Sequence, residues 1–356
     1  MGLPPDLVRR LTGEAATLDD GGRFPPWARE ALREAGLLLA PFPRELGGEG
    51  LATDDEPALA ELLIECGAAW MPLGRIVEGH ANAIRLVWRY GTTAQLAAFA
   101  DDARAGHLSA VWAADLRGAP FRLHSDGRTR GEKAFASGAG VVTRPLVTAE
   151  DRNGAERLLY LRLPAAGATV TAKPDLLGMR GASTSRVDLS GLLVDERDVV
   201  GQPGDYLREP ELSLGAWRPL AVMAGGIAAL VAAFAADLLS RERDRDPHQR
   251  VRLGDLLILR EQAALWVGGA AARTAHAGAD PVAGERAAEW VKLARNAIDQ
   301  AAAQAIALAQ RGAGFAAAAR PHPIERLCRD LATLARQPAL DEVLESAGAA
   351  ALRGVL

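Results

Sequence analysis

Six histidines stand at positions 80, 107, 124, 248, 276 and 322, and no two are four apart on one helix face. That spacing is what lets two imidazoles meet one metal ion, so no metal site is expected. The two cysteines, Cys66 and Cys328, lie far apart without a CxxC or a paired histidine, and both read as buried free thiols. The acidic pairs Asp54-Asp55 and Asp341-Glu342 sit at polar helix starts, where negative charge suits the helix dipole. A GxSxG elbow, a Walker A loop, an HExxH helix and an EF-hand loop are all missing from the sequence. The string Arg311-Gly312-Ala313-Gly314-Phe315 follows a helical run instead of opening one after a strand, which is not the setting of a Rossmann phosphate turn. These residues alone assign no catalytic group.

The elements that must position any site fall into three stretches. From Asp6 to His107 apolar residues recur at helical spacing, notably over Trp27 to Leu39, Pro57 to Ile64 and His80 to Val87. Phe24-Pro25-Pro26 marks a helix start, and Pro41-Phe42-Pro43 with Gly47-Gly48 a stop. Residues 1–107 therefore read as an all-helical domain. Residues 108–207 carry short alternating or β-branched runs, at Gly140 to Thr148, Leu158 to Leu163, Ala168 to Ala172 and Arg186 to Val194, parted by turn residues. They predict a small sandwich or barrel. Residues 208–356 return to helix, with long Ala- and Leu-rich segments at Pro219 to Arg243, Arg250 to Ala277, Gly284 to Gln310 and Ile324 to Arg336, a four-helix bundle pattern. The fold class expected is mainly α with a small β domain between helical parts.

Composition excludes several partners. Apolar residues make up 49% and charged residues 24% of the 356, a globular balance. A net charge of -4, with Arg interspersed among Asp and Glu, lacks the basic field that nucleic acid requires. Pro219 to Leu239 is long enough to span a bilayer but reads as a buried bundle helix, because its neighbours alternate like those of a soluble protein. The first residues lack the apolar core of a signal peptide, and a cytoplasmic location is expected. The Ala-rich helices can approach closely, which suits a homo- or hetero-oligomer, dimer or tetramer.

Four strings in order resemble the acyl-CoA dehydrogenase superfamily across nearly the whole chain. FPPWAREALREAGLLLAPFPRELGGEGL (Phe24 to Leu51) is similar to that family's helix and Gly-Gly turn, and Gly91-Thr92-Thr93-Ala94-Gln95 to its turn before the β domain. LLGMRGASTSRVDLSGLLVDERDVVGQPGDYL (Leu176 to Leu207) resembles its "GMRGS.T..V" strand pair, and HPIERLCRDLATLARQP, from His322, its "P.ER..RD" helix. The resemblance implies an N-terminal helical domain, a middle β-barrel, a C-terminal four-helix bundle, and FAD held between barrel and bundle and reaching a neighbouring subunit. In Lys133-Ala134-Phe135-Ala136-Ser137-Gly138, matching the family's "K.W.T.G" strand, Phe135 would cover a face of the isoalloxazine ring and Ser137 would hydrogen-bond its edge. The plain alternative makes Phe135 core and Ser137 a strand hydroxyl. Arg241 or Arg243 would meet the pyrophosphate, and Gly312 and Gly314 would let the backbone approach the adenosine. A solvated charged turn is the alternative for the arginines.

The family's catalytic glutamate falls at Pro338, and the alternative position on the first bundle helix falls near Trp217, just before Arg218. Neither is acidic; Glu211, Asp341 and Glu342 stand nearby. Trp112-Ala113-Ala114-Asp115-Leu116-Arg117-Gly118 replaces the family's "TEPGAGSD" loop. The leading expectation is FAD-dependent α,β-dehydrogenation of an acyl thioester, with electrons passed to a transfer partner. Two alternatives stay open: a monooxygenase of the same fold that receives reduced flavin from a reductase and acts on another small molecule, or a catalytically silent subunit of a hetero-oligomer.

Overall fold

Prolines and capping side chains open most of the helices. The computed structural model describes residues 2–278 and 280–356. The N-terminal part holds α1 (Pro5–Gly21), α2 (Pro26–Glu34), α3 (Glu56–Ala69), α4 (Met71–Tyr90) and α5 (Thr93–Arg104). Asp55 caps α3 by accepting from the Ala58 N–H at 3.1 Å. Helix α2 stops earlier than its apolar pattern predicts, because Gly36 takes a left-handed φ of 73° and the chain turns. The Gly91 to Gln95 string is a capping box for α5: Thr92 Oγ1 accepts from Gln95 N at 3.2 Å, and Gln95 Oε1 from Thr92 N at 2.8 Å. Gln95 Nε2 then donates to Arg197 O and Val199 O, fastening the helical part to the strands.

Among the described residues nine strands follow: β1 (Leu108–Trp112), β2 (Arg122–Leu123), β3 (Thr129–Arg130), β4 (Glu132–Ala136), β5 (Val142–Glu150), β6 (Glu156–Tyr160), β7 (Thr169–Ala172), β8 (Ser185–Asp188) and β9 (Val199–Val200). One sheet runs β3-β2-β5-β6-β9, with β1 parallel to β5, and a second runs β4-β8-β7. The strand predicted to reach Val194 ends at Asp188.

The bundle is α7 (Trp217–Ser240), α8 (Pro247–Ala277), α9 (Pro281–Ala313) and α10 (Pro323–Leu334), preceded by the short α6 (Glu211–Leu214) and followed by α11 (Leu340–Leu352), which periodicity did not reveal. Helix α7 has the length and apolarity to cross a membrane, with a mean hydropathy of 2.1 in its most apolar window. Here it is the central helix, its backbone pressed on α3: a Cβ on Gly225 would stand 2.1 Å from Ile64 O, and one on Gly67 2.3 Å from Val222 O. Only glycine permits that approach.

Two of the sequence strings meet at the seam between bundle and β module. Asp330 Oδ1 accepts from Met179 N at 2.6 Å, and Arg329 donates to Leu177 O at 2.9 Å and to Asp19 Oδ2 at 2.6 Å. A Cβ on Gly178 would lie 2.2 Å from Arg329 O. Helix α10, the Leu176 to Gly181 turn and α1 are thereby locked together. Cys66 and Cys328 are both buried and free. His80 is a core group: its Nε2 lies 2.9 Å from Leu38 O, and its Nδ1 accepts from Ser109 N. Burial lowers its pKa to about 4, so it stays neutral.

Candidate functional site

Strand β4 breaks register against β8 between Lys133 and Ala136, and Phe135 there adopts a left-handed φ of 52°. That conformation is costly for an aromatic residue and is typical of bulges that re-aim a side chain. Phe135 is thrown outward and is 67% exposed, which overturns the alternative of a core phenylalanine. Two residues on, Ser137 Oγ lies 3.1 Å from Thr184 Oγ1, and the Ser137 carbonyl accepts from Trp112 Nε1 at 2.9 Å. An uncovered aromatic face beside a hydroxyl on a fixed backbone fits a flavin ring, apolar across its faces and polar at its edge.

Lys133 secures the loop next to this strand. Its ammonium is fully buried and donates to Ala113 O (3.0 Å), Asp115 Oδ1 (2.5 Å) and Thr148 Oγ1 (2.9 Å). Burial lowers its pKa, and Asp115 opposes that shift. The Ala113 to Asp115 segment is held against β4 by this side chain together with the Ala134 N–H, which donates to Ala114 O at 2.8 Å.

The four bundle residues come together where α7 and α9 end. Arg241 Nη1 donates to Ala313 O at 2.8 Å and pairs with Asp237 at 3.3 Å, so its charge is already met. Arg243 Nη1 donates to Gly312 O at 3.1 Å and has no carboxylate partner among the described residues. Of the two, Arg243 keeps the donors a phosphate would use. Gly312 owes its identity to packing, since a Cβ there would stand 2.5 Å from the Phe234 ring. Gly314 ends α9 with a φ of 73° and open space about it. Among the described residues no hydrogen bond joins this group to Phe135 and Ser137.

A cavity of about 180 Å³ opens between α4, α6 and the start of α7, with Glu78, Asn82, Arg85, Arg89, Glu211 and Arg218 on its walls. Trp217 is fully buried. Arg89 pairs with Glu211 at 3.0 Å, Arg75 with Glu78, and Arg85 with Glu56 at 3.0 Å. Of the three nearby carboxylates read from sequence, only Glu211 reaches this cavity, and Asp341 and Glu342 are exposed in the first turn of α11. Pro338 is exposed in the turn after α10, its carbonyl accepting from Arg295 at 2.5 Å. Glu78, Asn82 and Arg85 escaped sequence reasoning. The available signal was a set of charged and amide groups at helical spacing on the face of α4 that meets Arg218. On a different face of α4 from Glu78, Ile76 packs under the turn that follows β4: a Cβ on Gly138 would stand 2.9 Å from Ile76 Cδ1.

Residues 7–107 match the family profile described as the N-terminal domain of acyl-CoA dehydrogenase. The chain is 32% identical over 196 residues to L-evernosamine nitrososynthase of a Micromonospora species, covering 51% of this chain and 46% of that protein. It is 26% identical over 206 residues to the mitochondrial short-chain specific acyl-CoA dehydrogenase of Homo sapiens, covering 53% and 49%. These matches span about half the length of the curated relatives. Among solved structures, the complex of TdsC from Paenibacillus sp. A11-2 with FMN and indole shares the fold, with a TM-score of 0.88, 20% identity and coverage of 98% of this chain and 96% of that one.

Proposed function

The chain belongs to the acyl-CoA dehydrogenase superfamily, and from that premise we propose that it is a flavin-dependent monooxygenase using reduced flavin from a separate reductase. The carrying observation is the state of the carboxylates. An α,β-dehydrogenase needs a carboxylate at the substrate to take the α-proton. At the two family positions stand Pro338, exposed and tied through its carbonyl, and Trp217, fully buried. The two carboxylates lining the cavity, Glu78 and Glu211, are each held by an arginine. Oxygen transfer requires a dry pocket and no such base.

A reduced flavin, when bound, supplies the two electrons that divide dioxygen, one oxygen atom going to the substrate and the other leaving as water. In this reading Phe135 covers the ring face and the Ser137 hydroxyl meets the ring edge. Lys133 holds the Ala113 to Asp115 loop down and keeps water from the strand. Arg243, with Arg241 and the open turn at Gly314, would receive a phosphate of the flavin bound in a neighbouring subunit. The similarity to a nitrososynthase and the fold shared with an FMN- and indole-bound monooxygenase are consistent with the reading.

The test supplies reduced FAD or FMN from a flavin reductase and NADH under oxygen-18, with a panel of small amines and aromatic compounds. Label in a product supports oxygen transfer. Anaerobic oxidation of saturated acyl-CoA thioesters with an artificial electron acceptor would refute it.

A further inference from the structure

Among the guanidinium groups that line the cavity, Arg218 stands apart. Arg85 and Arg89 each have a carboxylate, whereas Arg218 has no ion-pair partner among the described residues. Its side chain is 2% exposed, and Nη1 donates to Asn82 Oδ1 at 3.1 Å. Its Nε is buried without a partner, as is the hydroxyl of Tyr90, another wall residue. Burial, with repulsion from Arg85 second, lowers the Arg218 pKa to about 10, which still leaves it a cation at neutral pH. A buried cation without a counter-charge is costly, and the cavity that the Arg218 side chain lines is the place where an anion relieves that cost.

We propose that this cavity receives a carboxylate group of the substrate and that Arg218 is the residue that selects it. One leftover positive charge calls for one negative charge. A dianionic phosphate would leave an excess beside Glu78 and Glu211. The guanidinium fork suits a carboxylate, with Tyr90 able to donate a further hydrogen bond. This inference rests on the monooxygenase reading only in treating the cavity as the substrate's, and its test involves neither flavin nor turnover.

Thermal unfolding of the full chain at constant ionic strength is compared with butyrate and with its neutral isostere butyramide. For the wild type, butyrate is expected to stabilise with an apparent Kd about tenfold lower than that of butyramide. Arg218→Met should melt no lower than the wild type, since it removes an unpaired buried charge, and should lose the preference. Arg218→Lys, which keeps the charge without the fork, should retain a weakened preference. Equal stabilisation of the wild type by both compounds would overturn the proposal. So would a butyrate preference that survives in Arg218→Met. The comparison on the wild type stands even if a variant fails to fold. A negative oxygen-18 assay leaves this result intact.

Discussion

Asp330 is 1% exposed at the seam between α10 and the Leu176 to Gly181 turn, and burial raises its carboxyl pKa to about 6 from an ordinary 3.8. The Met179 N–H and the Arg326 guanidinium, 3.5 Å away, oppose that shift without cancelling it. The folded chain thus holds this proton more tightly than the unfolded chain. Below about pH 4 both forms are protonated and the site costs nothing. As pH rises from about 4 to about 6 the unfolded chain ionises first, and stability falls through that window. A shift of about two units at about 1.4 kcal/mol each amounts to about 3 kcal/mol. Asp330→Asn keeps an oxygen to accept from Met179 N and removes the ionisation. The variant should therefore gain about 3 kcal/mol on the wild type between about pH 4 and about pH 7. With an unfolding entropy near 0.7 kcal/mol per degree for 356 residues, the Tm difference should move by about 4 °C in the variant's favour. Thermal unfolding of both proteins at the two pH values measures it. A difference independent of pH, or one that moves toward the wild type as pH rises, would show that Asp330 serves as an ionised partner of Arg326 and would refute the reasoning.

Phe135→Ala should change stability by less than about 0.5 kcal/mol, because the ring is largely exposed, yet weaken flavin binding about tenfold; flavin fluorescence titration with a thermal melt separates the two. Gly178→Ala places a Cβ 2.2 Å from Arg329 O and should cost about 3 kcal/mol, read by denaturant unfolding. Glu211→Gln breaks a half-exposed pair with Arg89 and should slow oxygen transfer by less than about tenfold, whereas loss of a general base would slow turnover about a hundredfold or more.

Helix starts were legible because their signals are local. Pro26 and Asp55 each act within one turn, and each opens a helix where the sequence placed it, whereas the Thr92 to Gln95 string, read as a turn before the β domain, opens α5. The first half of α4 was not legible, since Gly74 and Gly79 interrupt the pattern and only contact with α7 and β1 makes them fit. Helix α11 was missed because its Ala-rich face rests on α9 with few large apolar residues to mark it. The strings around Gly178 and Asp330 were each readable, but their meeting joins residues 151 apart, and no local pattern encodes that. At the candidate site, Phe135 and Ser137 could be named from the strand string. The bulge that exposes Phe135 depends on its pairing with β8. Arg241 and Arg243 were read as equivalent, although Asp237 stands four residues before Arg241, the helical spacing that pairs it with that arginine alone. Arg218 was visible as a lone charge at the start of an apolar helix. Its meaning required knowing that Glu56, Glu78 and Glu211 are committed to other arginines.

A protein that borrows reduced flavin must capture that form and release the oxidised one, while a dehydrogenase keeps its flavin in both states. The affinities for reduced and oxidised FAD and FMN, measured by anaerobic equilibrium dialysis, therefore bear most directly on the proposed function. The predicted result is that the reduced form binds tighter by about tenfold or more, about 1.4 kcal/mol. Oxidised FAD retained as tightly as reduced FAD, and bleached by a saturated acyl-CoA thioester, would contradict it.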